Sequence, residues 1–413
     1  MISVTPYLNI DTLNLADKDR LLEKSTRIRE LDAALSNSLP PTLRHAVEDT
    51  LFTVNSYYSN LIEGNATLLA DLFKPDTNST SNTSSDDSPS QDLDQSARLD
   101  YLELMQHIEV QAKTVALQTP ADKLCSTSSI TALHYDFFNG LPPEKLVCTF
   151  ANENSTETVL LTPGQYRSHQ VIVGKHVPID PSRIKSHMDW FEQVFTISRI
   201  SYIRQLIAAA GAHHRLAWIH PFLDGNGRVV RMFTDQYMRA IGLQGYGLWS
   251  MSRGFARHAA EYKTFLARAD LPRKGDTDGR GILSDSGLLQ FTEFFLDTAI
   301  DQLEFFKSIF QPQTLRKRIR QYFLMRDNQD EIADVGPMPK LRAEAGRVYQ
   351  VLVDEGPLMQ KELREWSGLS ESIFKECVAG LRRDKLILAD HKQPVKALIP
   401  PHAIPVFFPK MMV

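Results

Sequence analysis

Along most of the chain apolar residues return every three or four positions, the spacing of a helix with one buried face. Over residues 12–36, Leu21, Leu22, Ile28, Leu31 and Leu35 share a broad face among charged neighbours. The stretch "PPTLRHAVEDTLFTVNSYYSNLIEGN" predicts a second helix, opened by Pro40 and Pro41 and stopped by Gly64. Helical spacing resumes near Leu99 in "LDYLELMQHIEVQAKTV", returns over about 181–243, and recurs over 252–269 and 288–310. The texture changes only at 147–179. There "VLLTPGQYRSHQVIVGKHVPI" sets β-branched pairs among glycines and charges, which predicts a hairpin at about 163–179. No internal repeat is visible.

Two stretches break the pattern. Residues 74–96, which hold "KPDTNSTSNTSSDDSPSQDLDQ", are acidic and nearly free of apolar side chains. They cannot bury enough surface to offset their ordering entropy, so a disordered insertion is expected. From about Thr314 the basic "LRKRIRQYFLMR" leads into three short helical patterns. These are "AGRVYQVLVDEG" ending at Gly356, "LMQKELREWSG" ending at Gly368, and "LSESIFKECVAGLRRDKLI" with Ser370 as N-cap. "LILADHKQPVKALIP" then reads as strand, turn, strand. Three helices and a hairpin in that order predict a winged helix–turn–helix. The expected layout is a mainly α protein with an N-terminal helical region (1–110), a helical core bearing the hairpin (111–312) and the winged helix (313–413).

A chain of 413 residues, 42% hydrophobic and 23% charged, has room for two or three soluble domains. The net charge of -4 gives no sign of wholesale nucleic-acid or membrane binding. No stretch approaches the roughly 18 uninterrupted apolar residues of a membrane span. The opening residues lack the basic and apolar regions of a signal peptide. Cys125, Cys148 and Cys377 lie far apart without metal-ligand spacing, as suits a reducing cytoplasm.

The chemistry is concentrated in "WIHPFLDGNGRVVR", residues 218–231. A helix over 203–219 stops at Pro221, and Phe222 is the residue expected to pin the loop into the core. Gly225 and Gly227 permit positive φ, Asn226 tolerates it, and helix resumes until Gly242. A glycine-rich turn thus empties into a helix start, where unpaired N–H groups and the positive end of the macrodipole favour an anion. Arg228 and the N–H groups would hold phosphates, with Arg231 near the same face. Asp224 is a hard oxygen ligand suited to Mg2+ bridging phosphate oxygens. His220 is placed to take a proton from an incoming hydroxyl. The pair His213 and His214 points in different directions on a helix and offers no metal cluster with His220.

"HPFLDGNGRVVR" resembles the signature His-x-Phe-x-Asp/Glu-Gly-Asn-Gly-Arg-x-x-Arg of the Fic family at every fixed position. The resemblance implies a helical enzyme that transfers AMP from ATP to a hydroxyl side chain of a target protein. In it His220 deprotonates the hydroxyl, Asp224 binds Mg2+, Gly225, Asn226 and Gly227 form the anion hole, and Arg228 and Arg231 engage the outer phosphates. "SNLIEG" resembles the family's inhibitory pattern Ser/Thr-x-x-x-Glu-Gly/Asn, which gives Ser59 and Glu63 a regulatory role on a helix at about 41–64. Glu63 would pair with Arg231 in the space of the γ-phosphate. "PGQYRSHQVIVG" resembles the family's flap, with Val171, Ile172 and Val173 as the edge that pairs with a target strand. Tyr262 falls where the family often places an aromatic near the adenine; packing in the core is the alternative.

The function expected on this reading is an autoinhibited protein adenylyltransferase using ATP and Mg2+. The same site could instead remove AMP or transfer another phosphate-containing group. A second class of function is a DNA-binding regulator with a nucleotide-sensing core. Against it, the third C-terminal helix mixes Lys375, Arg382, Arg383 and Lys385 with Glu371, Glu376 and Asp384. The expected partners are ATP, a protein bearing the target hydroxyl (this chain included), DNA or protein at the C-terminal helices, and a second copy of the chain.

Overall fold

Helix α1, Leu15–Ser36, opens where the Asn14 side chain accepts the Asp17 N–H at 2.9 Å. It buries Leu21, Ile28, Leu31 and Leu35. The computed structural model describes residues 2–39, 41–68, 71–72, 91–152, 155–333, 335–389 and 393–412. Helix α2, Pro41–Ile62, is followed by a turn at Gly64, whose φ of +89° a side chain would strain. It is enclosed on nearly every side. Leu43, Val47, Leu51, Val54 and Ile62 are buried, and so are the polar Asn55, Ser56, Ser59 and Asn60.

Helix α3, Gln91–Leu117, starts inside the acidic run. Residues 91–96, expected as the end of a disordered insertion, are its first turns. The rest of that expectation, residues 74–90, lies outside the described residues. After α4, Thr127–Asn139, strands β1, Val147–Asn152, and β2, Ser155–Leu160, pair antiparallel, with Cys148 opposite Val159 and Thr149 opposite Thr158.

The hairpin therefore precedes the place expected for it. Among the described residues, the segment 163–179 has one bridge, Val173 with His176, around a tight turn at Gly174. The carbonyls of His169 and Ile179 accept from the Arg167 guanidinium, so a side chain satisfies backbone groups that a ladder would otherwise use.

Helices α5, Ile184–Phe195, α6, Gln205–Ile219, and α7, Asn226–Ala240, form the centre, with α6 packed against both its neighbours. The helical stretch at 252–269 is divided at His258 into α8, Met251–Arg257, and α9, Ala259–Ala269. Helix α10, Asp285–Ile309, capped by Ser284, lies across α1, α6, α8 and α9.

Helix α11, Pro312–Asn328, leads to α12, Ala345–Glu355, α13, Gln360–Ser367, and α14, Glu371–Arg383, the last capped by Ser370. Strands β3, Ile387–Leu388, and β4, Lys396–Ala397, pair antiparallel, and α15, Ile404–Phe407, follows. This C-terminal region rests on α2. Thr50 donates to Ile399 O at 3.4 Å, and the Tyr58 hydroxyl to Met411 O at 3.3 Å. Arg253, 2% exposed, donates to Met411 O, Lys410 O and the Gln302 side chain at 3.0, 2.7 and 3.1 Å. The fold is mainly α with two small antiparallel hairpins. No described helix is long and apolar enough to cross a membrane.

Candidate active site

The loop between α6 and α7 is shaped by four neighbouring residues. His220 ends α6 in a left-handed conformation, φ 52° and ψ 62°, which a non-glycine residue adopts only when its surroundings hold it there. Pro221 removes the next donor. Phe222 is fully buried and stacks on the His134 ring at 4.0 Å. Asn226 clamps the turn: Phe222 N–H donates to its Oδ1 at 2.9 Å, and its Nδ2 donates to Phe222 O at 2.8 Å.

Of the two glycines, Gly225 uses positive φ (+78°), and a Cβ there would strike the Phe138 ring. Gly227 is helical and has a different reason, given below. The first intrahelical bond runs from Val229 N–H to Gly225 O at 3.0 Å. The N–H groups of Asn226, Gly227 and Arg228 therefore face outward at the helix start, an arrangement that binds anions.

His220 Nδ1 lies 3.3 Å from Ala217 O. A neutral imidazole that donates from Nδ1 carries its lone pair on Nε2, as a proton acceptor requires. Burial lowers the His220 pKa to about 4, helped by His176 and Arg167, so the ring is neutral at pH 7. Its backbone carbonyl accepts from Arg167 Nε at 2.8 Å, while Arg167 N–H donates to Pro221 O at 2.9 Å.

The charged groups form a lattice over the start of α7. Arg228 pairs with buried Glu103 and lies 3.3 Å from Asp224 Oδ1, with its cation 5.0 Å from the Phe137 ring centre. Arg231, 2% exposed, donates from Nε to Ser59 Oγ at 2.8 Å. Its terminal nitrogen donates to Ser59 O at 2.9 Å and Glu63 Oε1 at 2.6 Å. Burial opposes ionisation of Glu63, but Arg231 and then Arg228 outweigh it and hold the carboxyl below its ordinary range. That carboxylate lies directly against Gly227, where a Cβ would collide with it. A carboxylate just past the end of α2 therefore stands at the helix start where an anion would bind.

Asp224 is the more open acid, its side chain 53% exposed, with Oδ1 accepting the Gly225 N–H at 2.6 Å. His134 fixes its backbone. Nδ1 of His134 accepts the Gly164 N–H at 2.8 Å, which leaves its Nε2–H to donate to Asp224 O at 3.2 Å. Among the described residues no three His, Cys, Asp or Glu are grouped to hold a metal. A divalent ion here would take Asp224 and oxygens of a bound phosphate, as Mg2+ commonly does.

The structure thus brings His220, Asp224, Gly225, Asn226, Gly227, Arg228, Arg231, Ser59 and Glu63 together. Other expected residues fall differently. Val171 is buried, and only Ile172 and Val173 are exposed. Tyr262 offers no open ring face. It is 3% exposed, stacks on Phe255 at 4.6 Å and donates to His213 Nε2 at 2.8 Å, because the core encloses α9 there. His213 and His214 are spent on Thr234, Tyr262, Leu266 and Asp270. Sequence reasoning missed Glu103, His134 and Arg167. Each is a lone polar residue in an unremarkable stretch. Only the "GQYR" following Pro163 hinted at Arg167.

Comparison with known proteins bears on the same residues. Residues 125–238 match the Fic/DOC family. Protein adenylyltransferase Fic of Drosophila erecta is 38% identical over 79 residues, which are 19% of this chain and 16% of that protein. Its namesake in Nematostella vectensis is 35% identical over 82 residues, 20% of this chain and 19% of that protein. The chain spans less than a fifth of the length of these curated relatives. A crystal structure of a Fic family protein from Desulfovibrio desulfuricans covers 95% of this chain and 98% of its own, at 16% identity and TM-score 0.49. Fic-1 from C. elegans covers 71% and 72%, at 18% identity and TM-score 0.45.

Proposed function

We propose that the protein is an adenylyltransferase that moves AMP from ATP to a hydroxyl side chain of a protein, and that Glu63 holds it inactive. One observation carries the reading: the Glu63 carboxylate, bonded to Arg231, lies against Gly227 at the start of α7. A carboxylate is a partial mimic of a phosphate edge, so a site that seats one here is built to seat phosphate. The match to the Fic/DOC family and the relatives named adenylyltransferase supply the nucleotide and the reaction.

In the active state Glu63 has swung away. The outward N–H groups of Asn226, Gly227 and Arg228 hold the phosphate chain, and Arg228 and Arg231 neutralise its outer members. A target hydroxyl gives its proton to His220 Nε2, and its oxygen bonds to the α-phosphorus. The bond to the bridging oxygen breaks, and diphosphate leaves with that electron pair. Mg2+ held by Asp224 would neutralise charge on the phosphate oxygens. Fixed N–H dipoles aimed at the α-phosphoryl, with the arginines on the outer phosphates, contribute the largest share of the rate. The C-terminal helices and hairpin we assign to a winged helix that docks protein rather than DNA. Lys375 is paired with Glu371 at 2.7 Å and Arg383 with Asp384 at 2.7 Å, which offsets part of the positive charge of α14.

The test is incubation with α-labelled ATP followed by mass spectrometry. The Glu63→Gly protein should gain, or pass to a target, the mass of AMP more strongly than wild type. Adding His220→Ala should abolish it. Equal labelling of all three proteins would falsify the reading, and loss of a pre-existing AMP would point to the reverse reaction.

A further inference from the structure

We propose that Arg167 is a positioning residue that holds the exposed edge at 171–173 in register with His220, and that His176 is its second fastening. This rests on the reading of His220 as the base and of that edge as the place where a target strand docks. The base and the edge belong to different stretches of chain, and a few side chains keep them together.

The segment 164–179 is fastened to the backbone of the catalytic loop, residues 218–224, in reverse order along the chain. At one end His134 accepts the Gly164 N–H at 2.8 Å and donates to Asp224 O at 3.2 Å. Next, the Arg167 N–H donates to Pro221 O at 2.9 Å and its Nε to His220 O at 2.8 Å. At the other end His176 Nε2 lies 3.0 Å from Trp218 O. A carbonyl only accepts, so that nitrogen carries the hydrogen and donates it. The loop carbonyls at 218, 220, 221 and 224 are thus all claimed by this segment, the last of them through His134.

Arg167 is the centre of this fastening. It is 4% exposed, and its two terminal nitrogens donate to His169 O at 3.1 Å and Ile179 O at 2.6 Å. One planar fork therefore holds three carbonyls, that of the base and one on each side of the edge. Between those two sides the Val173 N–H donates to His176 O at 2.9 Å, and the His176 N–H to Val173 O at 3.0 Å. Ile172 and Val173 are left 72% and 45% exposed. Among the described residues this is the segment's single bridge, so side chains rather than a ladder set the distance from the edge to His220. A buried guanidinium is costly unless its donors find acceptors, and a loop that only needed filling would take an aliphatic residue. Sharing one guanidinium makes the edge and the base move as one body. The gain is large, because a misplacement of about 1 Å between reacting groups can cost about 10²-fold in rate.

The test uses the full-length Glu63→Gly protein with α-labelled ATP and casein as a general acceptor, and counts AMP on either protein against free AMP. Free AMP forms when water replaces the hydroxyl: it gives a proton to His220, its oxygen bonds to the α-phosphorus, and diphosphate leaves with the electron pair. Water needs no edge. Arg167→Lys keeps the charge without the fork, and Arg167→Met removes both. Protein-bound AMP should fall about tenfold for the lysine and up to about a hundredfold for the methionine, with ATP affinity within about twofold. The ratio of free to protein-bound AMP should rise at least about fivefold in each. His176→Leu should raise the ratio by a smaller factor, and His176→Gln, which can still donate to Trp218 O, should bring it back towards the parent. An unchanged ratio, or ATP binding weakened as much as transfer, would mean that these residues only support the fold. Either result overturns the inference. If the Arg167 variants do not fold, the two His176 variants decide on the same ratio. A Glu63→Gly parent that puts no AMP on protein refutes the adenylyltransferase reading itself, and this inference with it.

Discussion

Replacing Glu63 by glutamine keeps the length of the side chain and removes its charge, and the two consequences have opposite signs. Without nucleotide the variant loses a charge-assisted hydrogen bond of 2.6 Å to Arg231. Such bonds are worth about 1.5–3 kcal/mol when buried. The Glu63 side chain is 38% exposed, so solvent screening brings the expected loss to about 1 kcal/mol. Arg231 keeps its bonds to Ser59, which limits the damage to the pair itself. With ATP the sign reverses, because the phosphate chain no longer meets a carboxylate at the start of α7. Two like charges about 4 Å apart repel by up to about 4 kcal/mol at an effective dielectric of about 20. Relieving even a third of that raises affinity about tenfold.

The melting curves should therefore cross. Without ATP, Glu63→Gln should melt about 1 °C below wild type. At ATP near one hundred times its dissociation constant, binding returns about 2.7 kcal/mol, more than was lost. The variant should then melt above nucleotide-free wild type and show the larger ATP-dependent shift. The nucleotide-free gap should also close in acid. The pKa of Glu63 is lowered in the fold, so its contribution is present above the ordinary carboxyl value of 4.5 and is lost as pH falls below it. Scanning calorimetry across pH, with and without ATP, reads all of this. A variant more stable than wild type without ATP, or one with no larger ATP shift, would refute the argument that this carboxylate occupies a phosphate site.

In the Glu63→Gly background, His220→Ala should cut AMP transfer by about 10²–10⁴-fold, with ATP affinity held within about twofold in a binding titration. The pH profile of kcat/KM for the Glu63→Gly protein should be flat from neutrality to about pH 5. Below that it should fall as His220, with its pKa lowered to about 4, takes up a proton; a limb near pH 6.5 would contradict the burial of that ring. Asn226→Ala leaves both backbone groups of Phe222 without their partner. It should cost about 2–3 kcal/mol in denaturant unfolding and abolish labelling, whereas labelling at the parent rate would show that the clamp does not set the loop.

The loop at 218–231 was legible because its chemistry is local. A turn that must pass glycines into a helix start leaves N–H groups facing outward whatever surrounds it, and the residues that do so are adjacent in sequence. The helices were legible for the same reason, since Leu21, Ile28, Leu31 and Leu35 announce α1 by spacing alone. What spacing could not announce was the support. Glu103 on α3 neutralises Arg228, His134 on α4 fixes the Asp224 backbone, and Arg167 binds the His220 carbonyl. Each acts at a partner scores of positions away, and each looks like an ordinary polar residue in its own stretch. The hairpin was misplaced through the same blindness. The apolar run at 171–173 has strand composition, yet Arg167 claims the backbone acceptors on both sides of it. Gly227 taught a related lesson. Its lack of a side chain serves the Glu63 carboxylate that rests on it, and its φ is that of ordinary helix.

The placement of Glu63 also decides how the site can open. Helix α2 is not a detachable lid. Leu51, Phe52, Val54 and Ile62 are buried on it, and at about 1.5–3 kcal/mol each these four alone hold it by about 6–12 kcal/mol. Thr50 and Tyr58 are further tied to the C-terminal region through Ile399 O and Met411 O. Glu63 itself lies one residue past the end of α2, half exposed, next to a Gly64 that nothing crowds. Moving that carboxylate costs about the 1 kcal/mol of its pair with Arg231, while moving the helix costs many times more. If Glu63 is inhibitory as proposed, opening is a motion of its side chain with α2 in place. On that proposal a relieving signal needs to supply only on the order of 1–2 kcal/mol, within the reach of a bound nucleotide or target.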